Sequence, residues 1–192
     1  MALEEHETLY AASSAEWREW LHENHTKKRG VWLIQYKKDS GKPTVSWSDA
    51  VDEALCFGWI DSIKRKRDDE SSVQFFSKRK PTSTWSKINK EKVDRLIEKG
   101  LMTAAGLECI EKAKENGTWW QLDEVETLKV PKDLAAAFKR HRGAKIYFNG
   151  LSRSTRKAIL QWIVLAKRPE TREKRIEETA ALASQQMKPK QF

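Results

Sequence analysis

The sequence predicts an α+β fold, in which a small antiparallel sheet of about three strands packs with helices and an all-helical C-terminal subdomain follows. Runs of β-branched and aromatic residues in the first half of the chain indicate the strands, and helical spacing of apolar residues dominates after residue 84. The runs of strand length span residues 30–36, 59–65 and 72–77. We therefore expect an α+β domain over residues 1–125, a basic helical subdomain over 130–187 and a disordered tail over 188–192.

Capping residues predict where the first two helices begin and end. Ser13 and Glu16 form a capping-box pattern ahead of the apolar face that starts at Trp17. Ser46 precedes the second helix, and Gly58 is placed to end it as the glycine that follows a helix C-terminus. The chain then continues directly into the second predicted strand.

The rest of the chain is predicted to be helical. Ser83 or Thr84 can cap a third helix over residues 86–99, and Gly100 would end it. The residues of this helix expected to face inward are Ile88, Leu96 and Ile97. Later helices are expected to start near residue 103, Pro131, Ser152 and Pro169.

The composition is that of a highly charged chain, with a formal net charge of +9 and a mean hydropathy of −0.77. No run approaches the roughly 18 apolar residues that a membrane span requires. The first ten residues, MALEEHETLY, are acidic and lack the apolar core of a secretory signal. We therefore expect a cytoplasmic protein without a membrane span, in which Cys56 and Cys109 remain reduced. No oligomeric state is predicted.

Positive charge is concentrated towards the C-terminus. Residues 139–175 contain twelve Lys or Arg and two Glu, whereas residues 1–24 contain six Glu and one Arg. Such a field attracts nucleic acid or another polyanion, and a solvated basic face is the alternative interpretation. The candidate polyanion-binding residues are Arg153, Arg156, Lys157, Arg172, Lys174 and Arg175.

Cys56 and the histidine pair do not indicate a reactive centre. Cys56 falls in the last turn of a predicted helix, where the helix dipole disfavours a thiolate, so we interpret it as a buried, inert thiol. His22 and His25 could offer two imidazoles to a metal, but two ligands do not make a zinc site. We expect no metal and no cofactor, and the residues leave open whether the protein is an enzyme.

Residues 79–89 have features of a site for a small anionic ligand. Arg79 and Lys80 precede a helix whose first turn offers free N–H groups, which suits a carboxylate or a phosphate. Asp61 shares a strand face with Trp59 and is a natural ion-pair partner for Arg79. An ordinary capped helix with a core tryptophan and surface cations is the alternative. The candidate ligand-binding residues are Trp59, Asp61, Arg79, Lys80, Trp85, Ser86 and Asn89.

Five motifs follow one another along the chain. They are W-x-x-W-L-x-x-N-H (17–25), G-V-W-L…K-K (30–38), E-A-L-C-F-G-W-I-D-S (53–62), F-S-K-R-K-P-x-S-x-W-S-x-x-N (76–89) and L-x-x-S-x-R-K…W-I-x-x-A-K-R-x-E-T-R-x-x-R-I (151–176). Together they resemble the YdeI/OmpD-associated family from about Trp17 to Leu182, and the last is similar to its bacteriocin-protection domain. The resemblance implies a role in tolerance of bacteriocins or cationic antimicrobial peptides.

Three functions are therefore predicted as alternatives. The first is binding of a small anionic or polar ligand in a Trp-lined pocket, which a cavity beside Asp61 would favour. The second is binding of nucleic acid or another polyanion through the basic C-terminal helices, which a salt-dependent titration would detect. The third is a non-catalytic interaction module that acts in stress or bacteriocin protection.

Overall fold

The computed structural model of the protein describes residues 6–192. Within this range there are one four-stranded sheet and nine α-helices. The chain forms two compact units, an N-terminal unit that ends at Trp119 and a C-terminal unit that comprises Trp120–Phe192. The sheet belongs to the N-terminal unit and the C-terminal unit is helical, which confirms the predicted α+β class. The sequence had placed the division between residues 125 and 130.

The sheet contains the three predicted strands and a fourth. Its strands are β1 (Thr8–Tyr10), β2 (Gly30–Tyr36), β3 (Trp59–Lys66) and β4 (Ser71–Lys78), in the order β1-β2-β4-β3. β4 pairs antiparallel with β2 and β3, but β1 pairs parallel to β2, so the prediction of a three-stranded antiparallel sheet is wrong in this respect. Three residues are too few to show the alternation from which a strand is predicted.

A bulge interrupts β3 after Asp61. The register with β4 shifts between Asp61 and Lys64, and such a shift changes the face on which the following side chains lie. Trp59 is 1% exposed, whereas Ile63, which a regular two-residue alternation would place on the same face, is 45% exposed. The predicted alternation therefore holds only as far as the bulge.

Local caps begin the helices of the N-terminal unit. These helices are α1 (Ser14–Asn24), α2 (Trp47–Cys56), α3 (Lys87–Glu98) and α4 (Ala104–Glu115). The hydroxyls of Ser13 and Ser46 accept hydrogen bonds from the backbone N–H groups of Glu16 and Asp49, as predicted. α3 is capped by Ser86, so the predicted cap at Ser83 or Thr84 is wrong.

The inward face of α3 differs from the prediction. Its buried residues are Lys92, Val93 and Leu96, while Ile88 and Ile97 are 61% and 46% exposed. Because successive residues turn by about 100°, Ile88 and Ile97 lie on opposite sides of the helix and flank the buried stripe. The sequence therefore identified one of three inward residues correctly.

The N-terminal unit buries side chains on both faces of its sheet. One face packs with α1 and α2 through Trp17, Leu21, Val31, Leu33, Leu55 and Phe76. The other face carries a smaller cluster of Trp32, Ile34, Val73 and Phe75. The alternation along β2 thus contributes to two apolar clusters, which explains why this strand has no polar face.

α4 lies against the C-terminal end of α2. The backbone N–H and the hydroxyl of Thr103 both donate to the Cys56 carbonyl, at 3.1 and 2.6 Å. A Cβ atom at Gly106 would lie 2.3 Å from the same carbonyl oxygen, so only glycine permits this approach. The contact brings α4 to the point where α2 turns into β3.

The C-terminal unit is a helical bundle. Its helices are α5 (Asp123–Glu126), α6 (Lys132–Arg140), α7 (Ala144–Gly150), α8 (Arg153–Val164) and α9 (Pro169–Ser184). Its core includes Leu134, Phe138, Phe148, Leu160, Ile163 and Ala180. In the tail that we expected to be disordered, the ring of Phe192 lies 5.9 Å from that of Trp162. No helix among residues 6–192 has the length and apolar character needed to cross a membrane.

Candidate functional site

The N-terminal unit contains a cavity of about 300 Å³ where α2 ends and β3 begins. Four segments line it: the residues after α1, the turn between α2 and β3, the end of β4 and one face of α4. The face of α4 carries Ala105, Glu108, Cys109 and Lys112, whose spacing places them on one side of the helix. The apolar wall consists of Phe57, Trp59, Pro81 and Ala105. We call this space the Arg79 cavity.

Gly58 shapes the turn from which the cavity is built. Its φ of +69° is a left-handed conformation that ends α2, as the sequence predicted. Its carbonyl accepts a hydrogen bond from the Arg79 backbone N–H at 2.9 Å. A Cβ at Gly58 would lie 3.1 Å from the Ala105 carbonyl oxygen, so the turn and α4 are in close contact. The turn therefore fixes Trp59, Arg79 and α4 around one space.

Arg79 is a buried cation without a counter-ion among residues 6–192. Its side chain is 7% exposed, and its guanidinium lies over the Trp85 ring, 3.6 Å from the ring centroid. Nη2 donates to the Thr84 carbonyl, whereas Nε and Nη1 are covered from solvent and have no hydrogen-bond partner within residues 6–192. Burial lowers the pKa of Arg79 to about 10, so the group is still charged at neutral pH.

The other charged groups of the cavity have partners. Lys78 Nζ donates to the Thr26 carbonyl at 2.7 Å, and Lys112 Nζ forms an ion pair with Glu108 Oε1 at 2.5 Å. Burial raises the pKa of the Cys109 thiol, and its cationic neighbours oppose this effect only in part, so the thiol is neutral at neutral pH. Within the described part of the chain, Arg79 therefore carries the one buried charge of this cavity without a partner.

Asp61 is not the partner of Arg79. Its carboxylate accepts a hydrogen bond from Trp47 Nε1 at 3.0 Å and does not line the Arg79 cavity. Asp61 lies two positions after Trp59 along β3, a rise of about 6.6 Å, so its carboxylate lies farther from the cavity than the Trp59 ring. Asp61 acts on Arg79 only as a more distant negative charge.

The remaining predicted ligand-binding residues divide into two groups. Trp59 lines the cavity, and Trp85 lies behind the Arg79 guanidinium. Lys80 is exposed and lies outside the lining. Ser86 uses its hydroxyl to accept from the Asn89 N–H at 3.2 Å, so the start of α3 is capped by its own side chain. The structure thus brings together Trp59, Arg79 and Trp85.

Sequence reasoning missed the wall that α4 contributes. The sequence predicts for Cys109 only that it remains reduced, and no local pattern indicates a role for Ala105, Glu108 or Lys112. These residues reach the cavity through the long-range contact between α4 and α2, which no local pattern reveals. The one available signal was Gly106, because glycine inside a helix indicates that another backbone passes close by.

Cys56 and His22 do not line the Arg79 cavity, and His25 lies only at its edge. Cys56 is fully buried, and burial raises the pKa of its thiol, as for an inert core cysteine. His25 lies at the edge of the cavity with its Nδ1 2.9 Å from the Leu21 carbonyl oxygen. Within residues 6–192, no cluster of three or more His, Cys, Asp or Glu side chains is placed to hold a metal.

Many of the basic side chains of the C-terminal unit bond within that unit. Arg172 binds Asp133 through two hydrogen bonds, Nε to Oδ2 at 2.7 Å and Nη2 to Oδ1 at 3.1 Å. The other candidate polyanion-binding residues that bond to groups of the same unit are Arg153, Lys157 and Arg175. Part of the positive charge is therefore already compensated, and polyanion binding stays a prediction.

Comparison with family models gives two matches. Residues 9–109, more than half of the chain, match the model of a domain of unknown function, DUF8412. The chain belongs to this family. The DUF8412 match includes α2, β3, β4 and the start of α4, and therefore most of the Arg79 cavity. No curated protein and no solved structure matches the chain.

The second match lies in the C-terminal part of this DUF8412 protein. Residues 127–186 match the model described as bacteriocin-protection, YdeI or OmpD-associated. The predicted resemblance is confirmed over these residues. The motifs between Trp17 and Asn89 fall within the DUF8412 match, so the resemblance predicted from about Trp17 to Leu182 is divided between two family models.

Proposed function

We propose that the N-terminal unit binds a small anion in the Arg79 cavity. The observation that supports this is the buried guanidinium of Arg79, which has two nitrogens without partners and no counter-ion within residues 6–192. A buried charge without a partner is costly, and an anion in the adjoining cavity would supply the missing partner. The apolar wall strengthens this attraction because it lowers the local dielectric.

Binding requires a small movement of the Arg79 side chain. Nε and Nη1 are covered in the structure, so the guanidinium must rotate about its terminal torsions before these N–H groups reach an anion. The Trp85 ring contacts one face of the guanidinium, so it senses this movement. The environment of the Trp85 ring changes in the process, so tryptophan fluorescence provides a signal for binding.

The first test is the thermal stability of the protein with sodium benzoate or sodium phosphate, compared with sodium chloride at equal ionic strength. A ligand that binds only the folded state stabilises it by about 2.7 kcal/mol at about 100 times its Kd. We expect at least one of the two anions to raise the Tm of the wild type. The Arg79→Met variant should lose this response, and Arg79→Lys should retain at most a weak one because it lacks the planar fork of donors.

Lys80→Met is the matched control. It removes the same charge one residue away, from a side chain that is exposed and outside the cavity. Its response to the anions should equal that of the wild type. An absent response in the wild type, or an equal response in Arg79→Met, would overturn the proposal.

The second family match supports a proposal for the role of the whole protein. We propose that it acts in the cytoplasm in protection against bacteriocins or cationic peptides, as the name of the family matched by residues 127–186 suggests. Disruption of the gene should increase sensitivity to a cationic peptide, and the wild-type gene should restore tolerance. Complementation with Arg79→Met and Lys80→Met then shows whether the Arg79 cavity is needed. Unchanged sensitivity after disruption would contradict this role.

A further inference from the structure

We infer that the Arg79 cavity selects an organic monocarboxylate with a small apolar body, a statement that rests on the proposed binding of an anion there. Three features of the cavity lead to this class of ligand: the number of uncompensated charges, the shape of the donor group, and the character of the wall. Each of them also disfavours a phosphate group.

The charge balance favours a single negative charge. Arg79 is the one buried cation among the described residues of the cavity, and it has no counter-ion there. Lys112 and Lys78 are exposed; Lys112 is paired with Glu108, and Lys78 donates to a backbone carbonyl. A phosphate monoester brings about 1.5 to 2 negative charges at neutral pH. The second charge would remain uncompensated and would face the Glu108 carboxylate, which lines the same cavity.

The donor geometry suits a planar acceptor. Trp85 covers one face of the guanidinium, so an anion has to approach from the edge, where the N–H groups of Nε and Nη1 can reach it once the side chain has rotated. Edge-on approach matches the two coplanar oxygens of a carboxylate. Phosphate sites usually add free backbone N–H groups at a helix N-terminus. The start of α3 is capped by Ser86 and does not line the cavity, and the start of α4, which reaches the cavity through Ala105, is capped by Thr103.

The wall provides contacts for an apolar body. Phe57, Trp59, Pro81 and Ala105 face the same space as Arg79. The cavity of about 300 Å³ is at the small end of the range for ligand pockets, about 300 to 1,000 Å³. A single ring or a short branched chain attached to the carboxylate fits this volume, and acetate would leave most of the wall uncovered.

Titration calorimetry of the 192-residue protein with four probes tests the inference. The probes are benzoate, its neutral analogue benzamide, the small carboxylate acetate, and inorganic phosphate. We expect benzoate to bind with a Kd about tenfold or more below that of each other probe. The Arg79→Met variant should lose the preference for benzoate over benzamide. Ala105→Leu places a larger side chain in the apolar wall and narrows the cavity, so it should weaken the binding of benzoate and leave the binding of acetate unchanged.

The outcomes separate this inference from the proposed function. If phosphate binds as tightly as benzoate and Arg79→Met abolishes both, the cavity is an anion site but the monocarboxylate class is wrong. If acetate binds as tightly as benzoate, the apolar body does not contribute to binding and the inference is likewise overturned. If no probe binds the wild type, or if benzamide binds as tightly as benzoate, the proposed anion site itself is contradicted.

Discussion

At the scale of single residues, the behaviour of Arg79 follows from what surrounds its guanidinium. The Trp85 ring offers a cation–π contact on one face, and the Thr84 carbonyl accepts from Nη2, but neither carries a full negative charge. The desolvation of the cation is thus only partly offset, which explains why burial lowers the pKa of Arg79 to about 10. The proposed ligand would complete this environment.

The pH dependence of benzoate binding should follow Arg79. Because only the protonated guanidinium attracts an anion, affinity should be constant between about pH 7 and about pH 9 and should fall as the pH rises through about 10. Cys109→Ser is the control, because a Cys109 thiolate formed at high pH would also weaken the binding of an anion. If deprotonation of Arg79 causes the decline, this variant should show the same decline. A decline already near neutral pH would contradict the assignment to Arg79.

A second buried cation, Lys92, has a carboxylate as its counter-ion. It is 8% exposed, and its Nζ donates to the Ser48 hydroxyl at 2.8 Å and to Asp52 Oδ1 at 2.5 Å. Asp52→Asn should reduce the free energy of unfolding by about 3 kcal/mol, because it leaves a buried charge without a counter-ion. Lys92→Met, which keeps most of the volume, should cost less than about half of that. Urea unfolding followed by tryptophan fluorescence measures both, and equal losses would contradict this explanation.

At the scale of elements, local signals and long-range contacts differ in how far the sequence predicts them. The caps at Ser13 and Ser46 and the turn at Gly58 depend on neighbouring residues and were predicted correctly. The approach of α4 to α2 depends on residues about fifty positions apart, so the α4 wall of the cavity could not be predicted. The bulge after Asp61 likewise appears only when β3 meets β4.

The same distinction applies to the candidate site. Arg79 and Trp85 are close in sequence, and their proximity in the structure follows from the short connection between β4 and α3. Asp61 was expected to complete the ion pair because a buried carboxylate needs a cation. Instead it is partly exposed and is satisfied by the Trp47 indole, a partner that the sequence does not suggest.

The contact between α4 and α2 predicts the effect of a single methyl group. Gly106→Ala would place a Cβ 2.3 Å from the Cys56 carbonyl oxygen, so α4 would have to move away from the turn at Gly58. We expect a loss of about 1 to 3 kcal/mol in the free energy of unfolding, together with weaker benzoate binding. Gly150→Ala, where no atom lies within 4 Å of the added Cβ, is the matched control and should change stability by less than about 0.5 kcal/mol. Similar effects of the two changes would contradict the role of the contact.

At the scale of the whole molecule, the two family matches coincide with the two structural units. Residues 9–109 lie within the unit that ends at Trp119, and residues 127–186 lie within the unit Trp120–Phe192. Each family model therefore corresponds to a compact unit with its own core. The net charge of +9 does not translate directly into an attractive surface for polyanions, because several cations of the C-terminal unit bond to their neighbours.

The ion pair between Asp133 and Arg172 should make the stability of the C-terminal unit sensitive to acid. Burial raises the pKa of Asp133, but the hydrogen bond to Arg172 and the N–H of Leu134 outweigh this effect, and the net pKa is lowered. The stabilisation is therefore fully present above the ordinary range of an aspartate and is lost as the pH falls through the lowered pKa. The difference in unfolding free energy between wild type and Asp133→Asn should be below about 1 kcal/mol, because both side chains are partly exposed.

Urea unfolding monitored by circular dichroism from neutral pH down to about pH 3 measures this difference. It should shrink steadily as Asp133 becomes protonated in the wild type. A difference that does not depend on pH would show that the pair contributes through packing rather than charge.

The most direct measurement is a crystal structure of the protein with 4-bromobenzoate, whose bromine is located by its anomalous scattering. We predict that the carboxylate lies within hydrogen-bond distance of Arg79 Nε or Nη1 and that the ring packs against Phe57 and Trp59. Arg79→Met crystals treated in the same way should show no bromine in the cavity. A bromine located elsewhere in wild-type crystals, or an ion pair between Arg79 and a carboxylate of the protein itself, would contradict the proposal that Arg79 binds an anion from outside the chain.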